Sequence, residues 1–313
     1  MLNRRNMRVK TMHALYHKEL DTTLTTREVL LKFNKAVEAT YHLYLFHLLA
    51  IRDIANYSLI DAERIATKFI STNHNEVVDK IVENPLVVYL NTPAAKLIFE
   101  NERIPEIDDT LTTKLLFNKL RKWQPFVDFN AKQPTVVEHE SFMRDLYNQF
   151  LLSDEYFIQL TLDEFPSAYD DDDIVMAQIN ISIRNAKKID TPAQNFQLAQ
   201  PDLRIIQRMC HPIITNLIEH ESEFNQIIRP FLKNWDYDRV AILDILLMKL
   251  IITEWLYMPE IPVKVSLNEY LEIAKAFSTP KSIDFINGIM DPLLKELKST
   301  QKINKTGAGL VDN

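Results

Sequence analysis

The sequence predicts an all-α fold, and three observations carry that prediction. Only three of the 313 residues are glycine, whereas sheets joined by tight turns usually need more. Apolar residues recur at spacings of three and four, the period of an amphipathic helix. Several apolar stretches follow a Ser or Thr that has Glu three residues later, the capping-box pattern that starts a helix. We therefore expect helices throughout, packed around a sizeable core.

The N-terminal half of the chain predicts helices of very different lengths. An apolar stripe predicts the first helix over residues 5–20. Thr25 and Glu28 form a capping box before a long amphipathic stretch that ends near residue 56, and Asp61 begins a further predicted helix. Proline interrupts the region 72–134, so only short helices are expected there. The remaining predicted helices of this half are 94–99, 112–123, 135–152, 156–164 and 174–186.

The C-terminal half begins after a polar, proline-containing linker at 187–201. Predicted helices follow at 202–219, 221–233 and 237–257, and the last is apolar on more than one face, as in a buried helix. The stretch Pro259–Asp291 predicts two helices joined by a polar corner. Ser266 and Glu269 fit a capping box for the first, and Thr279 with Pro280 fits the start of the second. Gly288 lies within the second helix and predicts a close backbone approach.

Charge is unevenly distributed along the chain. The net charge is −7, but residues 135–190 contain twelve acidic and four basic residues, and residues 1–20 contain five basic residues and one acidic residue. An acidic net charge argues against nucleic acid, although the distribution matters more than the sum. The chain therefore has a basic start and an acidic middle.

Several kinds of site are excluded or disfavoured by the sequence. The single cysteine, Cys210, allows no internal disulfide and no multi-cysteine metal site. His13 and His17 have a metal-ligand spacing without a third ligand nearby, and Asp170–Asp173 is better explained as a solvated helix start. A glycine-rich phosphate loop is impossible with three late glycines, so no cofactor is expected. No secretory signal or apolar run of roughly 20 residues is present, and we expect a cytoplasmic location.

A basic cluster near the N-terminus is the first candidate site. It consists of Arg4, Arg5 and Arg8, of which the last two share one face of the first predicted helix. Flexible cations of this kind make strong, salt-sensitive phosphate contacts that do not depend on base sequence. A solvated terminus is the alternative explanation, and the cluster alone does not establish RNA binding.

A cation–aromatic–cation group at the corner between the last two helices is the second candidate site. It consists of Lys275, Phe277 and Lys281. Such a group can stack an unpaired base and hold its phosphate. A corner Phe that only packs against its neighbours remains the alternative.

These clusters and their surroundings resemble the NusB family of transcription antitermination factors. Arg4-Arg5-x-x-Arg8 followed by Ala14-Leu15-Tyr16 is similar to the arginine-rich start of that family and its A-L-Y helix. The C-terminal stretch reproduces the order and spacing of the family's motifs, and this match is more specific than the N-terminal one. Its matching motifs are Ile261-Pro262-Val263-Lys264-Val265, Asn268-Glu269, Ala274-Lys275-x-Phe277 and Phe285-x-Asn287-Gly288-x-x-Asp291.

The resemblance implies a non-enzymatic, all-helical protein with two packed helical bundles. It further implies binding of a single-stranded boxA-like RNA together with NusE, a ribosomal small-subunit protein, within an RNA polymerase antitermination complex. Carried onto this chain, it places RNA contacts at Arg4, Arg5, Arg8, Lys275 and Phe277, to which the corner cation Lys281 is added. It places the NusE-facing surface near Tyr16 and Asp244.

This sequence also departs from the family pattern. Ser278 stands where the family usually has Gly, and Asp284 stands where it often has a basic residue. The expected organisation is 1–35 as N-terminal helices of the NusB-like core, 36–201 as an inserted helical region, 202–298 as the C-terminal bundle and 299–313 as a flexible tail. A helical protein–protein adaptor without specific RNA binding is the alternative function. An rRNA methyltransferase RNA-binding domain is disfavoured, since no S-adenosylmethionine loop follows Asp291.

Overall fold

The computed structural model describes residues 1–68, 79–105, 109–186, 197–232 and 237–311. Their regular structure is helical, and no β-strand occurs among the described residues, which confirms the all-α prediction. No helix of these residues is long and apolar enough to cross a membrane. Contacts divide the chain into two compact units. We call residues 2–37 with 201–313 the terminal unit, and Met1 with 38–200 the central unit.

The terminal unit combines the two ends of the chain around one buried helix. That helix, α13, is buried along its whole middle, from Asp244 to Trp255, as its apolar composition predicts. Helices α1, α11, α12, α14 and α15 pack against it. The helices of this unit are α1 (Arg4–Leu20), the first residues of α2 (Thr26–Lys68), α10 (Leu203–Ile205), α11 (His211–Glu219), α12 (Glu221–Ile228), α13 (Ile242–Tyr257), α14 (Val263–Phe277) and α15 (Ser282–Ser299).

Among the described residues, the central unit consists of the rest of α2 and seven further helices. Aromatic and aliphatic side chains of α2, including Tyr44, Phe46 and Leu48, are fully buried in its core. The capping box of Thr135 and Glu138 is present, as the sequence predicts. The further helices are α3 (Pro85–Leu90), α4 (Pro93–Asn101), α5 (Asp109–Leu120), α6 (Gln124–Asn130), α7 (Val136–Asp145), α8 (Glu155–Glu164) and α9 (Asp172–Ala186).

The break that the sequence predicts between residues 56 and 61 is wrong. The capping box of Thr25 and Glu28 forms, but the helix that follows continues through Asp61 to Lys68 as one 43-residue helix. Burial of Tyr57 and Ser58 on the central core keeps the helix continuous there. The predicted linker lies mostly at 187–196, outside the described residues.

The described part of the C-terminal tail makes defined contacts, although its composition predicts a flexible segment. The Lys305 ammonium donates to the carbonyls of Glu254 and Met258 at 2.8 and 2.9 Å, at the C-terminal end of α13. The Thr306 N–H donates to the carbonyl of Pro259. Cations that bind the last carbonyls of a helix complement its dipole.

Candidate nucleic-acid interface

Helices α1 and α14 lie beside each other in the terminal unit. Arg5 on α1 binds Glu269 on α14, and eight residues later on both helices the rings of His13 and Phe277 meet edge to face. Equal steps in the same sense show that the two helices run in the same direction, and eight residues correspond to about 12 Å. The N-terminal basic cluster and the α14–α15 corner are therefore brought onto one part of this unit.

Arg8 is a structural residue, so its prediction as a phosphate contact is wrong. It is 2% exposed, and its Nε and Nη2 donate to the two carboxylate oxygens of Glu254 at 2.7 and 3.0 Å. Ser266 and Tyr270 of α14 donate their hydroxyls to the same carboxylate. Burial opposes the charge of Arg8, but the Glu254 carboxylate raises the pKa of Arg8 and keeps it charged. This network joins α1, α13 and α14.

The predicted capping box of α14 is absent because both of its residues have other partners. The helix begins at Val263, and Ser266 lies buried in its first turn, where its hydroxyl serves Glu254. Glu269 accepts a bidentate pair of hydrogen bonds from Arg5 at 2.8 and 2.9 Å, which lowers the pKa of Glu269. Bonds to a charged partner are stronger than a neutral cap, so these contacts displace the local motif.

Arg4 and Arg5 present cationic surface at the start of α1. Arg4 is exposed and forms no ion pair with an acidic side chain among the described residues. The side chain of Arg5 is 48% exposed, and its Nη1 takes no part in the bidentate contact with Glu269. Arg5 is therefore held in position with the N–H groups of its Nη1 available to a phosphate.

Phe277 is an exposed aromatic ring at the C-terminal end of α14. It is 46% exposed, and the edge-to-face contact with His13, at a centroid distance of 5.3 Å, supports it on one side. Lys275 precedes it by two residues and Lys281 follows it by four, and both are exposed, without an ion-pair partner in the described parts of the chain. A supported ring with exposed cations close to it in the sequence suits base stacking and phosphate contact. Sequence reasoning missed His13 because its neighbour across the helices is 264 positions away.

Asp244 holds the corner between α14 and α15 together, so its prediction as a partner-facing carboxylate is wrong. It is 6% exposed, and it accepts hydroxyl hydrogen bonds from Ser278 at 2.7 Å and from Ser282 at 2.8 Å. Ser278 has extended backbone angles (φ −117°), so glycine is not required there. Ser278, which stands where the family usually has Gly, thus donates a hydrogen bond to Asp244. The second helix starts at Ser282, three residues after the predicted cap Thr279.

A cleft of about 760 Å³ opens beside this corner. Residues 239–241 before α13 form one wall, and the first turns of α15, with Lys281 and Phe285, form the other. Gly288 lies on the cleft, and a Cβ atom built there meets no atom within 4 Å, so the predicted close backbone approach is wrong.

Tyr16, the other predicted partner residue, is half-buried on α1. No cluster of metal-binding side chains occurs among the residues that the structure describes.

Sequence comparison relates part of the chain to a known family. The model of the NusB family matches residues 159–295, a stretch that includes α13, α14 and the corner. This chain carries a NusB family domain. The match does not include α1, and it begins within the central unit. Which residues are inserted relative to a short NusB therefore stays a prediction.

Relatives with curated names agree with this assignment. A transcription antitermination protein NusB of Chloroherpeton thalassium is 44% identical over 100 residues, which are 32% of this chain and 47% of that protein. Proteins of the same name from Salinibacter ruber and Elusimicrobium minutum are 43% and 39% identical over 90 and 93 residues. Those matches each cover 29% of this chain, and 56% and 66% of the relatives. The chain thus spans about half to two thirds of the length of these NusB proteins. No solved structure gives a significant match.

Proposed function

We propose that this protein binds a boxA-like single-stranded RNA together with NusE, within an RNA polymerase antitermination complex. The observation that carries the proposal is the meeting of the arginine-rich start of α1 with the Phe277 corner in one unit, linked by the Arg5–Glu269 and His13–Phe277 contacts. The names of the NusB relatives support the antitermination role.

The chemistry of the exposed residues fits single-stranded RNA. Arg4, Arg5, Lys275 and Lys281 supply cations for phosphates, and Phe277 supplies a face on which an unpaired base stacks. The charge distribution favours the same surface: residues 2–37 and 201–313 hold 21 basic and 18 acidic residues, whereas residues 38–200 hold 15 basic and 25 acidic residues. RNA is therefore attracted to the terminal unit and repelled by the central unit.

The NusE-facing surface is proposed around Tyr16 on the exposed side of α1. An amphipathic ring of this kind is a common anchor at protein interfaces. Asp244 contributes indirectly, by holding the corner and one wall of the cleft in place. Tyr16→Asp is expected to weaken NusE binding while leaving the affinity for RNA alone unchanged.

The direct test is a binding titration of the full chain with boxA-like RNA and with a scrambled RNA, each with and without NusE. Tighter binding of the boxA-like RNA, increased further by NusE, is expected. Equal affinity for both RNAs under all conditions overturns sequence-specific recognition and leaves the protein–protein adaptor as the function.

Charge reversal tests the location of the RNA site. The double variant Arg4→Glu/Arg5→Glu is expected to reduce RNA affinity by about tenfold or more, because it removes two phosphate contacts and adds repulsion. Arg8 is left unchanged, since a glutamate there faces Glu254 in the core. Lys295→Glu is the control for a single charge reversal elsewhere: its side chain is 77% exposed, and it lies 14 residues along α15 from Lys281, about 21 Å away. Equal losses in the double variant and the control contradict the proposed location.

A further inference from the structure

A second cationic site lies in the central unit and shares no residue with the proposed RNA surface. It is a pocket of about 330 Å³ between α2, α4 and the turn that follows α4. Three basic side chains, Arg52, Lys96 and Arg103, line it, and Glu100 is the only acidic side chain in the described lining. This excess of positive charge is unexpected, because the central unit as a whole has a net charge of −10.

Arg52 is held rigidly with its outer edge unused. Its Nε donates to Asp53 at 2.8 Å, and its guanidinium lies over the ring of Phe99, 5.4 Å from the centroid. The side chain is 16% exposed. The two terminal nitrogens make no hydrogen bond to described residues, so they present a fork of N–H groups to the pocket. A planar fork of this kind matches two oxygens of a phosphate.

Two carboxamides beside Arg52 add further donors. Asn56 and Asn91 bind each other reciprocally, with each Nδ2 donating to the other Oδ1 at 2.8 and 2.9 Å. Each amide has two N–H groups, so the pair fixes both side chains and leaves one N–H of each without a partner among the described residues. Both residues line the pocket.

Arg103 and Lys96 complete the cationic wall. Arg103 follows α4 with φ 52°, in the left-handed region, and the Ile104 N–H donates to the Phe99 carbonyl, as in a helix C-cap that glycine usually occupies. An arginine at such a position projects from the end of α4. Lys96 and Arg103 are exposed and form no ion pair within the described ranges, so both are available to a ligand.

We propose that this pocket binds the phosphate group of a small phosphorylated molecule. The fixed Arg52 fork and the spare amide N–H groups bind the phosphate oxygens, and Lys96 and Arg103 close over its charge. The volume lies within the range of small-molecule sites. The proposal is independent of RNA and NusE binding, because every lining residue belongs to the central unit.

Calorimetric titration of the full chain with 5′-AMP, inorganic phosphate and adenosine tests the proposal. AMP and phosphate are expected to compete for one site, with an affinity that falls as salt rises, while adenosine does not bind. Tighter binding of AMP than of phosphate indicates an organic phosphate ester, and equal binding indicates free phosphate. If neither anion binds at millimolar concentration, the proposal is overturned.

Variants separate this site from general charge effects. Arg52→Gln is expected to reduce AMP affinity by about tenfold or more, and Arg52→Lys, which keeps the charge and loses the fork, by less. Lys119→Gln is the control, because its side chain is 52% exposed and paired with Asp154 outside the pocket. Thermal unfolding establishes that each variant is folded. Unchanged AMP binding in Arg52→Gln contradicts the proposal, and so does an equal loss of AMP affinity in Lys119→Gln. An Arg52→Gln variant that loses affinity for boxA-like RNA but not for AMP also contradicts it.

Discussion

At the residue scale, Arg5 and Arg8 have opposite roles although one helical turn separates them. Arg8 is buried on Glu254, and Arg5 is half-exposed on Glu269. Positions three apart on a helix share a face, but the surface of a neighbouring helix decides which of them it covers. The partner of Arg8 is 246 residues away in sequence, so no local pattern predicts its burial.

Replacing each arginine by methionine measures this difference. Arg8→Met leaves Glu254 buried without its cation and is expected to reduce the free energy of unfolding by about 3–5 kcal/mol. Arg5→Met removes the partly exposed ion pair with Glu269 and is expected to change the free energy of unfolding by about 1 kcal/mol or less. Urea unfolding of both variants gives the comparison. Similar losses for the two positions contradict the assignment of Arg8 to the core.

His47 gives the central unit a pH-dependent stability. It is fully enclosed, its Nδ1 lies 2.8 Å from the hydroxyl of Tyr147, and burial lowers the pKa of His47 from 6.5 to about 3. The unfolded chain therefore binds a proton below pH 6.5 that the folded chain does not bind. Stability from this residue is complete above pH 6.5 and is lost as pH falls towards 3.

The variant His47→Gln keeps a polar partner for Tyr147 and removes the titration. The unfolding free energy of the wild-type protein is expected to fall more steeply with acid than that of the variant, by at most about 1.4 kcal/mol per pH unit. Unfolding titrations between pH 4.5 and 7.5 measure both slopes. All other titrating groups are the same in the two proteins, so any difference between the two slopes comes from His47. Equal slopes contradict a neutral buried His47.

At the element scale, local sequence patterns predict helices well and their ends less well. The capping boxes at Thr25 and Thr135 form because their side chains stay near the surface, with no stronger partner available. The pattern at Ser266 fails because the buried Glu254 takes its hydroxyl. Long-range partners of this kind decide between two local motifs that look alike in the sequence.

The candidate site shows the same division between what the sequence reveals and what it does not. The exposed corner residues Lys275 and Phe277 follow from motif and spacing, because a helix end places them at the surface. The roles of Asp244 and Glu254 do not follow, because both depend on hydroxyl donors from neighbouring helices. Buried carboxylates acquire their partners only when the helices pack.

Two glycines in different elements give a paired prediction. Gly309 lies in the C-terminal tail, where an added Cβ falls 2.0 Å from the carbonyl oxygen of Pro259. Gly309→Ala is therefore expected to displace the tail and lower the thermal midpoint. Gly288 lies within α15, and an added Cβ there meets no atom within 4 Å, so Gly288→Ala is expected to stabilise the protein by about 0.5–1 kcal/mol. Opposite shifts in thermal unfolding are expected, and a stabilising Gly309→Ala contradicts the packed tail.

At the scale of the whole molecule, the two units differ in charge and in the parts of the chain that they contain. The terminal unit joins both ends of the chain and carries the NusB-like corner. Its net charge is +3. The central unit is acidic, apart from the cationic pocket at Arg52. The uneven charge is visible in the sequence, whereas the pairing of α1 with α14 is a property of the fold. The proposed RNA site therefore depends on residues that are far apart in sequence.

The salt dependence of RNA affinity tests this composite site most directly. Binding of boxA-like RNA is measured at several salt concentrations for the wild-type chain, Arg4→Gln, Phe277→Ala and the control Lys295→Gln. Arg4→Gln is expected to reduce the slope of log affinity against log salt by about 0.7, since it removes one phosphate contact to a single strand. Phe277→Ala is expected to weaken binding by about 1–3 kcal/mol with the slope unchanged, since it removes one stacked base. Affinities and slopes equal to those of Lys295→Gln in both variants contradict a site built from α1 and the α14–α15 corner.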